Sequence, residues 1–314
     1  MRPAFSVLLL TTLIGAGQGL FLALFLVQIC TLAGILPPQD GHRFYAHGSL
    51  LALVLLVAGL IASFFHLGRP ERAWRAAAMW RTSWLSREVI VLPAFVALVL
   101  MYGVAHRAGA IDPSLALGIA GTVVAFALYV CTAMIYACLP FLREWASPLT
   151  IANFILLGGA SGFTLAAVFA VFAAPELIRF FAGAAFVLTL LGGACRVASL
   201  IRNARLRPKS TLQTAIGIKH PRIVQRSMGF MGGSFNTREF FHGRPLSFVR
   251  SIKAIFLAAA FALPLLLLGA AWSGAPTALL PVAFVVQYLG LLAERWYFFA
   301  EANHPQNLYY QAIA

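Results

Sequence analysis

Uncharged apolar stretches recur along the whole 314-residue chain, separated by short polar interruptions. The near-pure apolar runs lie at about 5–33, 46–66, 86–106, 114–139, 149–173, 177–200, 251–272 and 276–300. About 20 residues cross the hydrocarbon core as a helix, so each run is long enough to span. The pattern predicts an all-α integral membrane protein, a bundle of eight transmembrane helices forming a single membrane domain over 1–314, with no room for a soluble domain. Pro93, Pro264 and Pro281 fall inside runs and predict kinks. Gly15 and Gly19, and again Gly158 and Gly162, have the small-xxx-small spacing that lets helix backbones approach in lipid. The first run continues to Leu36 without a charge, longer than the roughly 7–15 apolar residues of a signal peptide, and reads as a retained helix. No 20–50-residue repeat and no inverted pair of broken helices is visible, which weighs against a secondary transporter.

Composition agrees, with 61% hydrophobic and only 10% charged residues. The net charge of +14 raises the question of a nucleic-acid partner, and the placement of the charge answers it. Eight spans put both termini on one side, together with the connections near 67–85, 140–148 and 201–250. Of 23 Lys and Arg, only Arg43, Arg107 and Arg179 fall on the other side. The positive-inside rule then makes both termini cytoplasmic, and nucleic acid becomes unnecessary. The connection 201–250 is the longest, with ten Lys and Arg against Glu239 alone, and it includes KHPRIVQRSMGFMGGSFNTREFFHGRP. Two readings stay open for it: a loop folded back on the helix ends, or a docking surface for a soluble partner, with Arg222, Arg226, Arg238 and Arg244 as contacts. The four cysteines, at 30, 131, 138 and 195, lack the spacing of an iron–sulfur cluster or a disulfide framework.

Candidate chemistry gathers at 65–88, FHLGRPERAWRAAAMWRTSWLSRE, where five Arg, two Glu, three Trp and one His stand between two spans. His66 is expected to close the second helix, with Gly68 and Pro70 as stop and start signals. A short interfacial helix from Pro70 would put Arg72 and Arg75 on one face, and Thr82 or Ser83 would cap the third helix with Glu88 in its first turn. One imidazole and one carboxylate would then share a bilayer depth, a pair able to hydrogen-bond a lipid-dissolved quinone and handle its protons. The plain alternative is that arginines near helix ends follow from topology and that His66 is a C-terminal cap. All seven histidines fall near helix ends or in connections, which does not suit a transmembrane haem. Gln18, Asn153, Gln287, Arg196, Glu294 and Arg295 are the other polar residues in or near spans, and interhelical glue explains them as well as function does. Adjacent Glu294 and Arg295 are expected to face different ways, each with a partner elsewhere. The tail NHPQNLYYQ at 303–311 has the polar and aromatic character of an interface clamp.

The stretches HLGRPERAW…RTSWLSRE at 66–88, GSFNTREFFHG at 233–243 and HPQNLYYQ at 304–311 resemble the anchor subunit of DMSO reductase and its relatives. The resemblance covers essentially the whole chain. It implies an anchor in a bacterial cytoplasmic membrane that carries no haem, iron–sulfur cluster or metal. Its partners would be an iron–sulfur subunit and a molybdopterin catalytic subunit, and it would exchange electrons with ubiquinone or menaquinone. His66 and Glu88 match the family motif and would line the quinone site, and Gly68, Arg69 and Arg72 match it too. A cytoplasmic site would suit a sulfite dehydrogenase anchor. Polysulfide- or nitrite-reductase-type anchors are the neighbouring alternative.

Overall fold

The computed structural model describes residues 1–207, 210–224 and 242–309. Among these, eight helices are long and apolar enough to span: α1 (Phe5–Leu32), α2 (Gly41–Phe64), α3 (Trp84–Arg107), α4 (Ile111–Ala137), α5 (Pro148–Ala173), α6 (Pro175–Ala204), α7 (Leu246–Trp272) and α8 (Leu279–Glu301). The expected all-α membrane bundle therefore forms, and no strand occurs among the described residues. Lipid offers no partner to backbone N–H and C=O groups, so apolar segments of this length satisfy them internally as helices. Local signals fix the starts. Asp40 accepts from the backbone N–H groups of His42 (2.8 Å) and Arg43 (2.6 Å), and Ser83 and Ser147 cap α3 and α5 at 3.3 Å each.

Two helices occupy the centre. The apolar windows of α1 and α5 are each 72% buried, against 28–39% for the other six. Their small-residue motifs meet each other: a Cβ on Gly19 would run into the carbonyl oxygen of Gly158, and one on Gly162 into the backbone of Gly19 and Leu20. Tyr129 of α4 ties the crossing further by donating to the Gly15 carbonyl at 3.0 Å. Peripheral helices turn apolar faces outward. Leu50, Val54, Val57 and Ile61 of α2, spaced four, three and four residues apart, are all more than 40% exposed, a stripe that suits lipid rather than water.

The three prolines behave differently from one another. The helix of α3 runs through Pro93 unbroken. α7 contains a π-helical turn at Ala258–Ala262, just before Pro264, which absorbs the missing donor and the ring's steric demand. Gly290 of α8 sits against that turn, with no room for a Cβ beside the backbone of Ala259 and Ala260. Pro281 does not kink α8. The helix begins at Leu279, so Pro281 lies in its first turn, where no internal hydrogen bond is lost.

Polar contacts between spans are few and specific. Gln18 donates to the Ala125 carbonyl (2.8 Å), Asn153 to Ser199 (2.8 Å) and Gln287 to Thr189 (2.9 Å), so each acts as interhelical glue, one of the two readings open for them. At the end away from the termini, Tyr102 donates to Gln28 (2.9 Å) and Gln28 to Ser114 (2.7 Å). Between Gln18 and Gln28, α1 presents only apolar residues, and Phe21 meets Phe95 and Tyr102 edge-on at 5.4 and 5.3 Å.

Candidate functional site

α2 stops at Phe64, with Phe65 as its C-cap, so His66 lies beyond the helix and is exposed rather than closing it. Partial desolvation still lowers the His66 pKa below the ordinary 6.5, which leaves the ring neutral at neutral pH. Gly68 is not the left-handed stop that its sequence position suggests: it has no positive φ, and a Cβ there would meet open space. The chain then forms a 3₁₀ helix, Pro70–Met79, packed on α3. Residues three apart eclipse in a 3₁₀ helix, so Arg72 and Arg75 share a face as expected. Arg69 is exposed, and Arg72 has only a loose contact with Glu71 (4.0 Å). Arg75, Arg81 and Arg87 lie over the rings of Trp74, Trp80 and Trp84, at 5.5, 5.3 and 4.2 Å.

Glu88 lies just past the first turn in which it was expected. Ser83 is the cap and Trp84 the first residue of α3, so Glu88 is the fifth, beyond the reach of first-turn dipole stabilisation. Its position continues the inward stripe Leu92, Phe95, Val99 and Tyr102, and the carboxyl is accordingly carried into the bundle, 7% exposed. Thr132 of α4 donates to Glu88 Oε1. Among the described residues no cation forms an ion pair with Glu88.

Arg295 of α8 lines the same cavity as Glu88, and α6 supports it from behind. Arg295 pairs with its own neighbour, Glu294, at 2.5 Å, against the expectation that the two face apart. The long guanidinium stem folds back across the helix surface, because Arg196 already holds the other oxygen of Glu294 at 2.7 Å and fixes the carboxylate between two cations. Arg196 reaches Glu301 at 3.6 Å, making a buried group of two Arg and two Glu. The Arg295 guanidinium also lies 4.4 Å from the Phe154 ring centroid and 5.0 Å from that of Phe298.

Between Glu88 and Arg295 is a cavity of about 30 Å³, room for about two waters. Gln18, Tyr129, Thr132 and Ser161 add polar atoms to its lining, and Leu10, Ile14, Leu157 and Leu291 add apolar ones. The structure thus brings Glu88 together with residues of α1, α4, α5 and α8. His66, Gly68, Arg69 and Arg72 do not line this cavity. Arg222 and Arg244 are exposed, with Arg244 over Phe248 at 5.4 Å, whereas Arg226 and Arg238 lie outside the described residues. Among the described residues no three His, Cys, Asp or Glu side chains gather as a metal site.

The family model for the DMSO reductase anchor subunit (DmsC) matches residues 1–268. The chain belongs to that family. Over the full length of both proteins, this DMSO reductase family anchor is also 57% identical to the C subunit of the sulfite dehydrogenase of Allochromatium vinosum. It is a multi-pass membrane anchor subunit of an oxidoreductase. Within the anchor, sequence reasoning missed Thr132 as the partner of Glu88 and gave Arg295 no place beside it. A hydroxyl near the end of α4 carries no distinguishing signal among so many apolar neighbours, and Arg295 was visible only as a charge inside a span.

Proposed function

We propose that this anchor passes electrons between an iron–sulfur partner subunit and membrane quinone, in a complex whose molybdopterin subunit oxidises sulfite. The sulfite assignment follows from the likeness to the sulfite dehydrogenase protein of Allochromatium vinosum. The observation that carries the quinone assignment is Glu88: a carboxyl inside a span, without a pairing cation among the described residues, facing a small, mostly apolar cavity that a few polar side chains punctuate. Ionisable residues in lipid-spanning segments are costly and are kept where they bind or move charge.

Reduction of quinone to hydroquinone takes two electrons and two protons. The electrons come from the partner. Glu88 supplies or accepts a proton inside the bundle, with Thr132 orienting its carboxyl, and the neutral His66 ring serves as a hydrogen-bond partner nearer the surface. The excess of Lys and Arg on the terminus side supports a bacterial cytoplasmic membrane with both termini, and so this chemistry, facing the cytoplasm. A single membrane domain over 1–314 suffices for this role.

His66→Ala is expected to lower quinone turnover about tenfold, less than the general range for acid–base groups, since water can reach this exposed position and substitute in part. Turnover is measured with purified complex at fixed subunit stoichiometry, and unchanged turnover would remove His66 from the site. Molybdenum and iron co-purifying with the chain would support the partner assignment, and their absence from intact complex would refute it.

The basic connection is proposed to dock the soluble subunits. Arg222→Glu combined with Arg244→Glu should strip them from the membrane fraction in a pull-down, because both guanidiniums are exposed and only Glu239 opposes ten Lys and Arg across 201–250. Full retention would leave the connection a folded-back loop.

A further inference from the structure

We propose that Arg295 is a ligand-binding residue of this site, its Nη1 donating a hydrogen bond to an oxygen of the quinone head group across the cavity from Glu88. The inference rests on the quinone reading above and adds a second wall to it. Three features of the molecule point to it. Arg295 is 4% exposed and lines the same cavity as Glu88. Its Nε is committed to Glu294 at 2.5 Å, but its buried Nη1 has no hydrogen-bond partner among the described residues. A buried donor left unsatisfied costs about 1–3 kcal/mol, more when charged, so such a group is kept where something else accepts from it.

The acceptor is identified by the rest of the lining. Two Glu and two Arg already balance within the Arg196, Glu294, Arg295 and Glu301 group, so an anion is not needed to neutralise it. The remaining walls are apolar carbons, hydroxyls and an amide. A neutral ring bearing carbonyl or hydroxyl oxygens matches that mixture: one oxygen accepts from Arg295, and the ring contacts carbon. The cavity of about 30 Å³ takes an oxygen in place of a water, whereas the ring itself must part the apolar wall of Leu10 and Leu291. Those two residues come from α1 and α8, which pack on each other more lightly than α1 on α5 and are linked by the Thr12 and Tyr288 hydroxyls at 3.1 Å, so entry of the ring would have to part this seam. Arg295 acts as a hydrogen-bond donor and fixed charge against the ligand oxygen, not as a proton carrier.

The test uses intact purified complex and two probes, a short-tailed benzoquinone and a short-tailed naphthoquinone, with binding read by calorimetry and the bound carbonyl stretch by infrared spectroscopy. Arg295→Met should raise the Kd of whichever probe binds by about 10–100-fold, the worth of a charged hydrogen bond, and move the bound carbonyl stretch to higher frequency. The frequency shift is a readout that loss of a merely structural arginine would not produce. Glu294 stays paired with Arg196 in this variant, which preserves the packing. If Arg295→Met does not fold, Arg295→Lys carries the test: it keeps the charge but not the forked donor, and a several-fold weaker Kd is expected. An unchanged Kd and carbonyl stretch in a folded variant overturns the role of Arg295. When that happens while Glu88→Gln still weakens binding, the quinone reading survives alone. If the unmodified complex binds neither probe, both fall together.

Discussion

Glu88→Gln is expected to lower quinone turnover by at least about 10²-fold, the lower end of what a positioned acid–base group contributes, while the bundle stays folded. The substitution is nearly isosteric, and the amide oxygen of Gln can still accept from Thr132, so the α3 to α4 contact is kept. What disappears is the ability to carry a proton. At 7% exposure no bulk water can take over that task, in contrast to His66, whose surroundings are open. The measurement is electron flow from the partner subunits to quinone, with thermal stability recorded alongside. Wild-type turnover in a stable Glu88→Gln complex would remove the carboxyl from the chemistry and reduce the site to an anchor.

Gly162→Leu should abolish folded protein. At the crossing of α1 and α5 even a Cβ collides with the backbone of Gly19 and Leu20, and backbone cannot step aside as a flexible side chain can. Overpacking in a dense core costs about 1–3 kcal/mol and more where backbones must separate. Here the two most buried spans would be forced apart. The yield of monodisperse protein in mild detergent and its Tm report the effect. Gly68→Ala is the matched control: its Cβ would meet nothing within 4 Å and its backbone needs no left-handed conformation, so stability should not change. A Gly162→Leu protein with wild-type Tm would show that the crossing is not what holds the bundle together.

These two positions also mark what could be read from the sequence and what could not. The spans were legible because lipid imposes length and apolarity on each segment separately, and the Gly15, Gly19, Gly158 and Gly162 motifs because close helix packing leaves a spacing of four. Glu88 was legible as a candidate, since a carboxylate beside a span is conspicuous. Its depth was not. α3 is apolar on every face, so no periodicity announced that Glu88 lies in line with Leu92, Phe95 and Val99. The walls opposite it come from α1, α5 and α8, which are distant in sequence, and only tertiary packing brings them there. The pairing of Glu294 with Arg295 was misjudged for a related reason: adjacent residues leave a helix in different directions, but a long guanidinium can curl back when a second arginine has already fixed the carboxylate. The end of α2 before His66 was off by two residues, which matters because it separates an exposed imidazole from a helix terminus.

The all-apolar interval of α1 between Gln18 and Gln28, plugged by Phe21 and Phe95, spans about 15 Å at 1.5 Å per residue. An insulating waist of that depth offers no stepping stones along α1 between the cavity at Gln18 and the buried polar cluster at Gln28. On the proposed placement of the redox partners at the terminus side, electrons and protons would reach the Glu88 cavity from one face, and turnover would carry no net charge across the membrane.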